Sequence, residues 1–276
     1  MIHCPSVTKS AIRTHYDLAT LFYRLLWGEH IHHGLWEDGS ETPKRAQMQL
    51  IERMAATARL APGNAVLDVG CGMGGSTIEM ARRYGCKATG VTLSPVQRMW
   101  ANWSGEFQGV GNRVRFLCHD AETLSFPPDS FDVIWSIECT EHLFDKAAFF
   151  RKAAGWLRPG GRLAICAWLA VDGAAAEAEA MKVAEAFLCP SFGTAEDYRG
   201  WFRDAGLENR EHADLTARVA ATWDICHRRV AATGVGWLGR LAGRDMTAFL
   251  GHFQTLGNAY RSGAMQYGLF LAEKPT

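Results

Sequence analysis

What most constrains this chain is a rhythm. Between residues 65 and 168, short apolar runs (65–69, 87–91, 113–117, 131–136, 162–168) are interleaved with segments of helical spacing (75–84, 95–107, 145–157). Strands and helices taken in turn predict a parallel sheet with helices on both faces. "LRPGG" at 157–161 reads as a turn ahead of the strand that follows. Beyond 170 we expect helices at 174–188 and 194–205, a strand in "ENREHADLT", a helical insertion over about 217–263 and a last strand in "YGLFLAEKP". Two late strands separated by helices predict an antiparallel sheet edge that carries a cap. Upstream, Ile12, Tyr16, Leu18, Ala19, Phe22, Leu25 and Leu26 predict one or two short helices within 8–28. Thr42 and Pro43 start a further helix that runs to about 60. No linker rich in Pro, Gly or Ser divides the chain. The expected organisation is a single α/β domain, 1–276, with a lid of about 1–42, a seven-stranded core of about 43–216 and 264–276, and a cap of about 217–263.

Composition narrows the function. Lys+Arg and Asp+Glu both number 29, so nothing suggests electrostatic capture of nucleic acid or of an anionic membrane. The eight cysteines form no CxxC pair and no metal-ligand spacing, and several sit in apolar runs. That pattern, with no signal-like N-terminus and no apolar run of membrane-spanning length, predicts a cytoplasmic protein. Ten tryptophans are many, and Trp27, Trp36, Trp100 and Trp103 flank the expected ligand regions as core residues or as faces for an apolar or cationic ligand.

The first predicted strand runs into "VLDVGCGMGG" at 66–75. Gly70 and Gly72 let the backbone turn and approach a ligand, and Gly74 and Gly75 open a helix whose first N–H groups are free. Such turns hold nicotinamide dinucleotides, nucleotide phosphates or S-adenosylmethionine. Asp68, two residues before Gly70, would repel a pyrophosphate and can pair with the ammonium of an amino-acid ligand. The second strand ends "CKATGVTLSP", without the acid a nicotinamide ribose requires, and no GK[ST] follows the glycines. S-adenosylmethionine fits what remains.

Together "VLDVGCGMGG", "GVTLSPVQ", "CHDAETLSFPPDSFDVIWS" and "LRPGGRLAI", over about 60–170, resemble the motifs of class I S-adenosylmethionine-dependent methyltransferases. "GEHIHHGLW", "GVTLSPVQ" and "SIECTEHLFDKAAFF" resemble more narrowly the γ-tocopherol methyltransferase group, related to the sarcosine and sterol methyltransferases and the cyclopropane fatty acid synthases. The resemblance implies a Rossmann-like sheet, mostly parallel, and S-adenosylmethionine as methyl donor. It assigns Thr92, Leu93 and Gln97 to the ribose and methionine end, Asp120 and Ala121 to adenine, and Ser136 to the methionine carboxylate region. Tyr16 and the His32-His33-Gly34 stretch match the lid. Thr92 as a strand-end hydroxyl, Gln97 as a solvent-facing helix residue and Asp120 as a helix cap are the plainer alternatives.

Transfer from a sulfonium is an in-line displacement, so the protein chiefly aligns the reactants and excludes water. A base is needed only where the acceptor carries a proton. "SIECTEH" supplies Glu138, Glu141 and His142 as acid–base or acceptor-orienting candidates, although Glu141 can cap the next helix and His142 can simply bond backbone. The histidines of "EHIHH" lack metal-ligand spacing and predict a lid contact, with no metal. The function expected is methyl transfer to carbon, oxygen or nitrogen of a small cytosolic acceptor, aromatic, prenylated or amine. Cyclopropane-type lipid methylation is an alternative. That branch places Cys where His33 stands and His where Cys166 stands, while Glu141 and His142 match it. A non-catalytic donor-binding domain is the third possibility.

Overall fold

The computed structural model describes residues 1–26, 28–233 and 252–276; Trp27 and the middle of the expected cap, 234–251, lie outside the described residues. The strands are β1 (Ile2–His3), β2 (Ala65–Val69), β3 (Lys87–Thr92), β4 (Val114–Cys118), β5 (Phe131–Ile137), β6 (Leu157–Ala170), β7 (Ser191–Phe192), β8 (Glu208–Asp214) and β9 (Met265–Glu273). The helices are α1 (Lys9–Leu26), α2 (Pro43–Thr57), α3 (Gly75–Tyr84), α4 (Pro95–Phe107), α5 (Lys146–Trp156), α6 (Ala174–Phe187), α7 (Ala195–Asp204), α8 (Thr216–Val219), α9 (Ala221–Thr233) and α10 (Phe253–Ser262).

Seven strands form one sheet in the order β4-β3-β2-β5-β6-β9-β8. Strands β2 to β6 are parallel, and β9 runs antiparallel between β6 and β8. This is the Rossmann-like α/β arrangement expected, with its antiparallel edge. Strand β2 is buried along most of its length, as an apolar strand covered on both faces must be. Helix starts follow their caps: the Thr42 side chain accepts the N–H of Arg45 ahead of α2, and Ser94 accepts that of Gln97 ahead of α4.

Three features differ from the sequence expectation. Helix α1 is one continuous element, because no Pro or Gly interrupts Lys9–Leu26. "LRPGG" is part of β6 rather than a turn before it; Leu157 already pairs with Phe131, and Gly160 at φ +72 absorbs the irregularity before Arg162 pairs with Val133. A two-stranded antiparallel ribbon joins β1 to β7, with two residues from each, too short to carry any periodicity. A single core cluster runs from Ile2 and Ile12 through Leu50 and Trp135 to Trp223 and Leu256, so lid, sheet and the described part of the cap bury one another.

Candidate active site

A cavity of about 180 Å3 opens at the carboxyl ends of β2, β3, β4 and β5. Strand order reverses between β2 and β5, which is where open α/β sheets bind ligands. Gly70 has φ +80, and a Cβ there would lie 2.3 Å from the Cys139 side chain, so the turns after β2 and β5 abut with no room for any side chain. The lid rests directly on the start of α3: a Cβ on Gly75 would meet His30 Nδ1 at 2.5 Å.

On one side lie the residues expected to take the donor. Asp68 is buried and accepts the Thr77 hydroxyl at 2.6 Å. Burial pushes its carboxyl up to about 7, against the pull of Thr77. Thr92 donates to Gln97 Oε1 at 2.7 Å and accepts the N–H of Ser94, so the β3–α4 turn is braced from within. Asp120 Oδ2 pairs with Lys9 Nζ at 2.5 Å, while Oδ1 accepts the N–H of Glu122. Lys9 also reaches Glu122 at 2.8 Å, tying the first turn of α1 to the loop after β4.

Across the cavity stands Glu138, at φ +53, a conformation uncommon for a residue with a side chain. Its Oε1 accepts the backbone N–H of His33 at 2.9 Å and the Tyr267 hydroxyl at 2.7 Å, and Oε2 faces His33 Nδ1 at 2.9 Å. Burial opposes its charge, but His33, His32 and Tyr267 outweigh burial and hold the carboxyl below its usual range. His142 Nδ1 lies 3.1 Å from the carbonyl of Leu188 and must therefore donate; Nε2 is left to accept the Tyr16 hydroxyl at 2.8 Å. Burial depresses this imidazole to about 4, so it is neutral at physiological pH. Tyr23, Trp168, Phe187 and Trp223 give the same part of the cavity an aromatic wall.

Tyr16, His33, Asp68, Gly70, Gly72 and Thr92 line this cavity, as do Leu93, Gln97, Asp120, Ala121, Glu138 and His142. Three expected residues do not. Gly34 packs on α2, where a Cβ would come 2.6 Å from that of Ala46, and its N–H goes to Thr222. Ser136 turns inward and donates to the Val69 carbonyl at 3.0 Å, bracing β5 against β2. Glu141 lies behind the wall: Oε1 accepts the Trp168 N–H at 2.5 Å, and Oε2 has no partner. Burial pushes its carboxyl up to about 8, and the cap of α5 is Asp145 instead. Lys9, Trp168, Trp223 and Tyr267 were not foreseen. No local signal marks them; Trp223 is 190 residues from the His33 it bonds and Tyr267 is 129 from Glu138. The three lid histidines do not converge, and among the described residues no group of three or more potential metal ligands comes together.

The family model for mycolic acid cyclopropane synthetase matches residues 5–192. The chain belongs to this family of S-adenosylmethionine-dependent methyltransferases. Over 97% of the methyltransferase and 98% of the relative, it is 33% identical to 27-O-demethylrifamycin SV methyltransferase of Amycolatopsis mediterranei. It is 30% identical, over 98% of its own length and 80% of the other, to the probable chloroplastic tocopherol O-methyltransferase of Oryza sativa subsp. japonica. The cyclopropane synthase MmaA2 of Mycobacterium tuberculosis shares the fold, with a TM-score of 0.86 over 98% of this chain and 100% of that one at 20% identity. The cavity of the methyltransferase suits its donor, S-adenosylmethionine. Among the described residues a Cβ on Gly72 would meet only Ile31 Cδ1, at 3.6 Å, and two buried ring nitrogens on the wall, His30 Nδ1 and His32 Nε2, have no partner. Among the described residues no helix is long and apolar enough to cross a membrane.

Proposed function

We propose that this methyltransferase methylates a hydroxyl group of a bulky, apolar small molecule. One observation carries the proposal: a neutral imidazole, His142, stands on an aromatic-walled cavity with its unprotonated Nε2 engaged by the Tyr16 hydroxyl. The bound donor supplies an electrophilic methyl carbon on a sulfonium. Asp68 would pair with the donor's ammonium, Thr92 and Gln97 would hold its ribose and methionine end, and Asp120 and Ala121 would hold its adenine. Tyr23, Trp168, Phe187 and Trp223 enclose the apolar body of the acceptor and keep water out. As the acceptor oxygen takes the methyl group its proton becomes strongly acidic. His142 Nε2 accepts that proton directly or through Tyr16, which is why an imidazole of low basicity suffices. Both relatives named above are methyltransferases with O-methylation in their names, which supports oxygen over carbon or nitrogen. We place the reaction in the cytoplasm, in keeping with eight free cysteines. The lid, core and cap work there as one unit, 1–276.

The test is incubation with methyl-labelled donor and a panel of polyketide alcohols, chromanols, amines and unsaturated lipids. Label on the alcohols or phenols, lost in His142→Asn, is the expected result. Label confined to unsaturated lipids favours cyclopropane-type chemistry and overturns the proposal.

A further inference from the structure

The hydrogen bonds around Glu138 have a direction, and the partners dictate it. An indole N–H can only donate. Trp223 Nε1 lies 2.6 Å from His33 Nε2, so that ring nitrogen carries no proton. The proton of the neutral imidazole is then on Nδ1, 2.9 Å from Glu138 Oε2. The Tyr260 hydroxyl, 3.5 Å from the same Nε2, is placed to donate to it as well. The path therefore runs from the cap (Trp223 on α9), through the lid (His33), to the end of β5 (Glu138), across three elements that meet only in the folded chain.

We propose that Trp223 is a positioning residue: by donating to His33 Nε2 it keeps that nitrogen unprotonated, so that Glu138 stays an uncompensated anion on the cavity wall, where it favours the sulfonium donor over its uncharged thioether product. This rests on the methyltransferase reading of the site. The carboxylate itself holds the proton on Nδ1. If the indole donor is removed, Nε2 is free to take a second proton, and the imidazolium so formed pairs with Glu138 and cancels its charge. The other titratable groups facing Glu138 and His33 are His32 from the lid, Tyr260 from α10, Tyr267 from β9, Cys166 from β6 and Glu141 after β5. Burial favours the neutral form of each of these five. Of these, His32 and Tyr267 favour the Glu138 carboxylate.

Two measurements test this. Long-range 1H–15N correlation spectra of the 15N-histidine-labelled full chain report the His33 tautomer at pH 7, with its signals identified by their loss in His33→Asn. The wild type should show a proton on Nδ1 alone, and Trp223→Phe should add one on Nε2. Calorimetry with S-adenosylmethionine and S-adenosylhomocysteine then gives the donor-to-product affinity ratio. It should fall by about tenfold in Glu138→Gln, as expected for losing one charge in a partly dry site, and part-way in Trp223→Phe. His33→Asn, which keeps an N–H donor at the Nδ1 position, should retain most of it. A wild-type Nε2–H tautomer overturns the proposal, as does an unchanged ratio in Glu138→Gln while the donor still binds. Failure of the wild type to bind the donor at all defeats the methyltransferase reading, and the proposal with it; the tautomer spectra distinguish the two cases because they need no ligand.

Discussion

The floor of the cavity comes from the turns that follow β2, β3 and β4, whereas its roof and far wall come from α1, the 29–33 loop, Glu138, His142, Trp168, Phe187 and Trp223. The floor works through backbone and small residues: Gly70, Gly72 and the start of α3, which Gly74 opens without a side-chain cap. The roof works through long side chains that meet across large sequence separations, such as Tyr16 with His142 at 126 residues and Trp223 with His33 at 190. The difference teaches where specificity can change. A floor set by main-chain geometry tolerates one donor, while a roof of interlocking aromatic and polar side chains can be rebuilt for a new acceptor without disturbing the donor.

The largest effect should come from breaking the floor. Gly70→Ala drives a Cβ into Cys139 at 2.3 Å, and donor affinity should fall by about 100-fold or more with a lower melting temperature. Adding Cys139→Gly should restore part of both. Normal donor binding by Gly70→Ala alone would show that the floor is not rigid. Breaking the roof should look different: His142→Asn should lower kcat by about 100-fold or more and leave the donor Kd within about twofold. A parallel loss of donor affinity would merge the two halves.

Asp68→Asn, which keeps shape and removes charge, should weaken donor binding by about tenfold. Because burial lifts Asp68 to about 7, wild-type donor affinity should rise between pH 6 and 7.5 as the carboxylate forms, and the Asn variant should lose that dependence.

The two halves also differ in how pH loads them. Asp68 on the floor and Glu141 behind the roof both hold their protons more tightly folded than unfolded, being raised to about 7 and about 8. Their stabilisation is complete below about pH 4, where the unfolded carboxyls titrate, and is lost as pH rises through those two values. Thermal melts from pH 5 to 8 should show a progressive fall that levels off above pH 8. Glu141→Gln should flatten the upper part, and bound donor should flatten the lower. The smallest effect belongs to the lid's outer tie. Lys9, with a side chain 39% exposed, pairs with Asp120 and Glu122 near the surface, so Lys9→Ala should cost less than about 1 kcal/mol of stability and about threefold in donor affinity.

Legibility in the sequence followed the same division. The order of strands and helices from 65 to 168 was readable because each element buries its own apolar face, and side-chain spacing records that locally. Thr92 and Gln97 were readable as a pair because one turn joins them, and the structure bonds them to each other. Ser136 and Gly34 were misplaced for a common reason. A small residue at a strand end or in a loop can face the ligand or the core, and only packing decides: Ser136 bonds Val69, and Gly34 packs on Ala46. Glu141, in the same short stretch as Glu138 and His142, turns the other way into β6, because the turn at Thr140–His142 points successive side chains apart.

By itself the sequence determined the glycine turn: an apolar strand, an acid and a run of glycines specify a bend and a helix start through steric rules that act within about ten residues. Only the tertiary structure decided the far wall. There Glu138 meets His33 and Tyr267, and His142 meets Tyr16 and Leu188, through folding alone. Hydrogen-bond direction and burial act over a few ångströms in space, and no pattern along the chain records which distant residues will stand that close.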